Sequence, residues 1–447
     1  MTKSISLIWI ILFLSGAVFL QAQTQDSVLT DYLRKAQYQQ AIEYIDTQES
    51  SRYLLYQKAL CYKWLNNYSK AIEILETAHE NYPDDISLLL DLAQCYEANL
   101  QYSKSINSYN HLIAADSANL YFRVRKADLL YRAEKYATAL ENYLQIDTAK
   151  YSHAYLEKSI ALCYEKLNSI DSAKVHYQAA WEADARDVFS ILSLVKLCLN
   201  QMDYLQALQY SETFLATDTT NAQMNVLNAL SYYNLGKYKE AVRRFEKCLA
   251  VGDSSIIVKR SLGISHFFLQ NDTAAHPYLQ QVYEQADSTN KHTLYALASV
   301  KFNLQQYSES IPLYQKLIER ELPNQTALCT YYTGLSKACE KDSLYEDALR
   351  YYIEALRHAP SNRLKMELNF NIASLFDFQF KDYTKAVFYY TQYQANLYNY
   401  QDVLQEEKDS DPEELKSIEV KINELTKYIQ KLKTEHKINY EDRIWQH

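Results

Sequence analysis

The sequence predicts an all-α solenoid of stacked antiparallel helix pairs. Three observations carry the prediction. A Tyr-x-x-Ala/Ser pair returns at Tyr38/Ala41, Tyr68/Ala71, Tyr102/Ser105, Tyr136/Ala139, Tyr204/Ala207, Tyr238/Ala241, Tyr307/Ser310, Tyr345/Ala348 and Tyr383/Ala386, and the small residue alone persists at Ala173 and Ala275. From Ala71 to Ala275 the small residue, here called the anchor, recurs every 34 residues six times running; the later steps are 35, 38 and 38, and the first is 30. A fixed period of this size is the signature of stacked supersecondary units. Finally, the chain holds only 5 Gly and 6 Pro in 447 residues, as expected where almost everything is helix and Gly costs about 1 kcal/mol.

The N-terminus reads differently from the rest. Lys3 precedes an uncharged apolar run from Ile5 to Leu20, and Leu20-Gln21-Ala22 places a small residue before a polar stretch. Sixteen residues is short of the roughly 20 a membrane span needs, so residues 1–22 are expected to be an export signal, or an N-terminal anchor if residues 5–20 are retained in a membrane. Either form puts the rest outside the cytoplasm, in the periplasm or envelope of a bacterium.

Residues 53–83 show the unit most completely. Leu55, Ala59 and Tyr62 share one helical face, Asn66-Asn67 breaks the pattern, Tyr68, Ala71, Leu75 and Ala78 form the buried face of a second helix, and Pro83 redirects the chain. Twelve residues before the anchors stand Ala93, Ala127, Ala161, Val195, Ala229, Gly263 and Ala298; four residues after them stand Tyr109, Tyr143, Tyr177, Phe245, Tyr314, Tyr352 and Tyr390. Small residues let paired helices approach, and the large ones fill the groove between them. Extra residues fall around Ser336–Ser343 and Ile372–Phe380, where helix boundaries are blurred.

This pattern resembles the tetratricopeptide repeat family over about residues 27–397, or eleven units. The likeness rests on the small first-helix residue, the Tyr before the anchor, the aromatic after it and the closing Pro83 and Pro360, with Leu262-Gly263 matching the family's Leu-Gly pair. The family's early Trp is missing. The resemblance implies a right-handed superhelical solenoid, expected here over residues 23–397, whose concave face is lined by the first helix of each pair and binds peptide segments or partner helices.

On the first helices, Tyr56, Leu60, Lys63 and Trp64, then Tyr121, Val124, Asp128 and Tyr131, then Val226, Leu230 and Tyr233, and finally Ile257, Arg260, Ile264, Phe267, Tyr295 and Phe302 are expected to point into that concavity. Tyr56, Trp64, Tyr131, Tyr233, Arg260, Phe267, Tyr295 and Phe302 are the candidate groove contacts, since aromatic and Arg side chains are favoured anchors. The plainer role for any one of them is stacking one unit on the next. A Lys/Arg/Asn cluster that would clamp a peptide carboxylate is not evident.

Catalytic chemistry finds no foothold. The glycines are too dispersed for a phosphate-binding loop or a nucleophile elbow, the ten His occur in no metal-binding spacing, and His266 and His276 read as a groove residue and a surface residue. No cofactor is expected. The formal charge of −9 argues against nucleic acid. Cys61, Cys95 and Cys163 occupy the same place in their repeats, ten residues before the anchor, and equivalent residues of neighbouring units stand about 8–10 Å apart if units stack, beyond the roughly 7 Å a disulfide spans. All seven Cys read as small buried hydrophobes.

Residues 398–447 read as a hinge followed by an amphipathic helix. Gln405–Pro412 is acidic and polar. Beyond it Leu415, Ile418, Ile422, Leu425, Ile429 and Leu432 are spaced 3, 4, 3, 4, 3, a heptad seam that suits either a cap on the last repeat or a homodimer contact through residues 412–436. The chain therefore reads as an exported, non-catalytic protein–protein interaction scaffold. Two rivals stand beside it: a glycan or small-ligand binding component of outer-membrane uptake, and a regulator that dimerises through its C-terminal helix.

Overall fold

The computed structural model describes residues 27–147, 150–285, 290–320, 324–406 and 412–438. Residues 1–26, with the expected export signal, and 439–447 lie outside them. Among the described residues there is no strand. The chain divides at Met202/Asp203 into two compact bodies.

The first body holds α1 over 27–34, then α2 (Tyr38–Asp46), α3 (Arg52–Trp64), α4 (Tyr68–Asn81), α5 (Ile86–Ala98), α6 (Tyr102–Ala115), α7 (Leu120–Arg132), α8 (Tyr136–Leu144), α9 (His153–Lys166), α10 (Ile170–Ala183) and α11 (Val188–Asn200). From α2 onward each helix packs against the next in sequence. The second body holds α12 (Tyr204–Leu215), α13 (Ala222–Asn234), α14 (Tyr238–Ala250), α15 (Ile256–Phe268), α16 (Asp272–Gln285), α17 (Lys291–Asn303), α18 (Tyr307–Arg320), α19 (Gln325–Lys341), α20 (Tyr345–Arg357), α21 (Asn362–Ser374), α22 (Tyr383–Glu406) and α23 (Pro412–Glu435). Here too consecutive helices pack together, and the first helices α13, α15, α17 and α19 also touch one another in turn.

The repeat sets these contacts. All eleven anchors, from Ala41 to Ala386, are fully buried. Where the anchor is Ser, its hydroxyl donates to the carbonyl twelve residues back: Ser105 to Ala93 and Ser310 to Ala298, each at 2.8 Å. A buried hydroxyl would otherwise be costly. At Gly263 a Cβ would lie 2.9 Å from Leu279 Cγ, so the approach of α15 to α16 needs glycine there. All seven Cys are buried, and burial pushes the Cys61 and Cys163 thiols up to about 11 and about 12.

Each turn between paired helices has one residue in the left-handed region: Ala36, Asn66, Leu100, Glu134, Asn168, Met202, Gly236, Gln270, Gln305, Ser343 and Lys381. The bonds are those of a Schellman cap, as in Asn67 N–H to the Tyr62 carbonyl at 2.8 Å and Asn66 N–H to Lys63 at 3.1 Å. Ten of the eleven are not glycine, so the turn is held by the packing it joins against a steric preference of about 1–2 kcal/mol.

The long units absorb their extra residues in two ways. α19 runs unbroken for 17 residues where α17 has 13; four more residues are about one turn, so its buried face is kept. The next unit instead places a π-helical segment, Leu375–Phe380, after α21. The expected boundary at residue 398 falls inside α22, which is continuous to Glu406.

The C-terminal seam folds back within the chain. Ile418, Ile422, Leu425, Ile429 and Leu432 are buried, in one apolar cluster with Val387, Tyr390, Leu397 and Leu404. Tyr428 donates to the buried Asp377 at 2.6 Å, Tyr390 donates to the same carboxylate at 3.3 Å, and His436 stacks on Tyr383 at 3.5 Å. The face a homodimer along residues 412–436 would use is thus the face that packs on α22.

Candidate functional site

Positions on the first helices are conveniently counted back from the anchor. Eight residues before it stand Leu33, Lys63, Glu97, Tyr131, Glu165 and Leu199 in the first body, and Tyr233, Phe267, Phe302, Glu340 and Phe378 in the second. The same scaffold position carries charge in three of six units of the first body and an aromatic ring in four of five units of the second.

In the second body the rings meet. Phe267 lies edge-on to Tyr295 with centroids 6.2 Å apart, and Tyr295 reaches Tyr331 at 5.9 Å. Tyr238, at the start of α14, contacts Tyr233 at 6.0 Å and stacks on Phe268 at 4.6 Å. These spacings fall in the range of favourable ring pairs. Tyr233, Tyr238, Phe267, Phe268 and Tyr295, with His292 at the side, line a cavity of about 280 Å³. Tyr295 is also a wall of a second cavity of about 320 Å³, with Phe302, Tyr314 and Cys329 as apolar lining and Asn303, Thr330, Thr333, Lys337 and Glu367 as polar lining.

The second cavity depends on Gly334. A Cβ there would sit 2.5–2.6 Å from the Tyr314 ring, so the ring occupies the space a side chain would need. Tyr314 is further held by a 3.0 Å hydrogen bond with Ser299, and burial pushes its phenol up to about 12. Lys337 pairs with Glu367 at 2.9 Å.

In the first body the polar groups are spent on one another. Arg125 Nη2 donates to both carboxylate oxygens of Glu97 at 2.6 Å, and its Nη1 lies 3.2 Å from Asp128. Arg132 joins Glu97 at 2.7 Å, and the hydroxyls of Tyr143 and Tyr155 donate to Asp128 at 2.6 and 2.7 Å. Burial, with Asp128 beside them, pushes both phenols well above the usual tyrosine range. Arg125, Asp128, Tyr131, Arg132, Tyr143 and Tyr155 line a cavity of about 210 Å³ that also takes in Lys158, itself 3.2 Å from Asp187. Three cations thus face three carboxylates.

The eight expected contact residues separate accordingly. Tyr233, Phe267, Tyr295 and Phe302 are half-buried and brought together, and burial raises the Tyr233 phenol above the usual tyrosine range against the opposing pull of Arg260, which lines neither cavity. Tyr56 is instead committed to Asp91 at 2.6 Å, the carboxylate that also takes Lys63 at 2.6 Å. Trp64 is about half exposed, 5.0 Å from Tyr38, and Tyr131 packs edge-on against Tyr136 at 5.3 Å. Val124 and Ile264, expected in the concavity, are core residues at 1% and 5% exposure. Contact between successive first helices covers them. His266 is likewise buried, stacked on Tyr278 rather than facing a groove. Sequence reasoning missed Tyr238, Phe268 and Gly334. Phe268 was findable as the residue beside Phe267 at the helix end; Gly334 carries no signal until Tyr314 is seen across from it.

Two segments, residues 53–85 and 292–323, match family models for the tetratricopeptide repeat. Among curated proteins the chain is 22% identical over 364 residues to human superkiller complex protein 3, covering 74% of this chain and 22% of that protein. It is 22% identical over 300 residues to the DnaJ protein P58IPK homolog of Arabidopsis thaliana, covering 62% and 59%. The chain thus spans less than two thirds of either relative. Among solved structures it is similar to YrrB, described as a TPR protein with an unusual peptide-binding site, at 20% identity and a TM-score of 0.38, covering 43% of this chain and 96% of that one. It is also similar to the C-terminal part of a TPR repeat-containing protein from Cytophaga hutchinsonii, at 19% identity and a TM-score of 0.42, covering 55% and 98%.

Proposed function

The chain is a tetratricopeptide-repeat protein, and from that premise we propose that it binds an extended or helical segment of a protein partner on the first-helix face of its second body. The observation that carries this reading is the run of Tyr233, Phe267, Tyr295 and Phe302 lining two neighbouring cavities. Half-buried rings already packed in place offer contact area at low entropic cost. The scaffold does its work by holding them, with no bond made or broken. The charge-satisfied face of the first body has fewer unspent donors and serves to keep its units in register.

The deciding experiment is affinity capture from native envelope extract by the chain, beside a Tyr233→Ala/Phe267→Ala variant of matched helicity. A captured protein must then bind in purified form, and lose at least about tenfold in affinity to the variant. Equal binding by both proteins would remove the aromatic face from the reading. Capture of no protein, with binding to an oligosaccharide panel, would favour the glycan-binding alternative.

We further propose that residues 1–22 direct export to the bacterial envelope, on the strength of Lys3, the Ile5–Leu20 run and Ala22. Among the described residues no helix is long and apolar enough to cross a membrane. Mass spectrometry of the envelope protein should find a chain beginning at residue 23. A chain retaining Met1 in the cytoplasmic fraction would end the export reading.

A further inference from the structure

We infer that the cavity among α13, α14, α15 and α17 takes one uncharged aromatic side chain bearing a hydrogen-bond donor, tryptophan before others, and that Asn234 selects it. The inference rests on the peptide-binding reading above and specifies the partner's anchor residue.

Size comes first. At about 280 Å³ the cavity lies just under the roughly 300–1,000 Å³ of sites that hold a drug-sized ligand, so it has room for one large side chain. Ile264 and Ala296, 5% and 1% exposed, give it an apolar floor, and five rings form its walls.

Charge comes next. The cavities at α17–α21, at α13–α14 and at α7–α9 each have cations and a carboxylate in their walls. This one has no lysine, arginine or carboxylate. Ring faces attract a cation, but Tyr238 and Phe268 lie face to face at 4.6 Å and 10°, which covers one face of each. A cation entering without a counter-ion loses more on leaving water than those rings return. An anion would find no cation in the walls at all. Complementarity of charge therefore selects an uncharged occupant, and ring contacts on several sides favour an aromatic one.

Hydrogen bonding narrows the choice. The phenol hydroxyls of Tyr233, Tyr238 and Tyr295 donate or accept alike, so they favour neither kind of partner. Asn234 does. One N–H of its Nδ2 is spent on the Leu230 carbonyl at 2.9 Å, while its Oδ1 has no donor among the described residues. Two open acceptor sites against one remaining N–H favour an incoming donor. An indole N–H supplies it and a phenyl ring does not, and the indole also buries the larger apolar area.

The test uses the full-length chain and Gly/Ser peptides carrying a single Trp, Phe, Leu, Lys or Glu, read by saturation-transfer NMR, which registers weak binding. Trp should bind about fivefold more tightly than Phe, with Lys and Glu at background. Asn234→Leu, checked for unchanged melting, should bring Trp level with Phe. Asn234→Asp keeps an acceptor and adds a charge, so it should retain the Trp preference and admit Lys. Lys bound by the native chain as well as Trp, or a Trp preference unmoved by Asn234→Leu, overturns the inference. If Trp and Phe binding are then both lost in Tyr233→Ala/Phe267→Ala, the aromatic surface still stands. Self-association of the chain that ends when residues 439–447, with Trp445, are deleted would give the cavity to a second copy and overturn a separate partner. No binding by any peptide overturns both readings, and binding to neutral oligosaccharides would then name the occupant.

Discussion

The first-helix faces of the two bodies are built on the same period and use it in opposite ways. In the first body the position eight before the anchor supplies Lys63, Glu97 and Glu165, each bonded to a neighbouring helix: Lys63 to Asp91, Glu97 to Arg125 and Glu165 to Tyr177. In the second body it supplies Tyr233, Phe267 and Phe302, which line open cavities, and then Glu340, which accepts from Tyr352 at 2.8 Å as Glu165 does from Tyr177. A charged side chain near the core must find a partner, because desolvation without one is expensive. An aromatic ring has no such obligation. It can remain half-buried and available. The comparison separates a face that spends its polar groups on stability from one that keeps area for binding.

That contrast can be broken most forcefully from the charged side. Arg125→Met should cost about 3 kcal/mol in urea denaturation, because Glu97 and Asp128 lose their shared cation inside a mostly buried network. Partner binding at the second body should be unchanged, and a loss of binding would show that the faces are not independent. Gly334→Ala comes next. Its methyl meets the Tyr314 ring, and the expected penalty is about 1–3 kcal/mol, with weakened peptide binding as Tyr314 moves into the second cavity. Neutral stability there would mean that the ring has room to shift.

A smaller effect is expected from pH. Burial lowers the His266 affinity for protons below its ordinary value of 6.5, and His276 is lowered in the same direction by burial and by Lys301. The folded chain therefore binds fewer protons than the unfolded chain below that value, so stability should fall as pH drops through 6.5. His266→Phe should flatten this slope in denaturation curves. An unchanged slope would assign the acid sensitivity elsewhere. Smallest is the turn substitution Leu100→Gly, at a left-handed and largely exposed position. It should raise stability by about 0.5–1 kcal/mol by relieving the steric clash. A decrease would mean that the entropy of the unfolded glycine outweighs that relief.

Much of this molecule was legible from residue types alone. The anchors, the small residues twelve before them and the aromatics four after them all occupy the buried places that the period predicted, as Ala139, Ala127 and Tyr143 do. The candidate contacts were harder to read. Tyr56 and Tyr295 hold the same position, fifteen before the anchor. Tyr56 is tied to Asp91, while Tyr295 is a wall between two cavities. The difference lies in what the next unit presents, 35 residues away, and no local pattern records it. Val124 shows the same limit, since a residue on the outer edge of a helical face is buried or open according to how closely the neighbouring helix lies.

The amino-acid sequence by itself determined the helix pairs, their number and their buried faces. These follow from short-range spacing: a helix returns to the same face every three or four residues, and the repeat copies that spacing down the chain. Tertiary structure alone decided which side chains were free to meet a partner and which were consumed. The C-terminal helix shows why. Its heptad seam suited a cap on the last repeat and left a second copy as the alternative, because hydrophobic burial is non-directional and rewards either contact. The choice came from specific geometry: a π-helical segment carrying Asp377 where Tyr428 of α23 donates to it, and Tyr383 where His436 stacks.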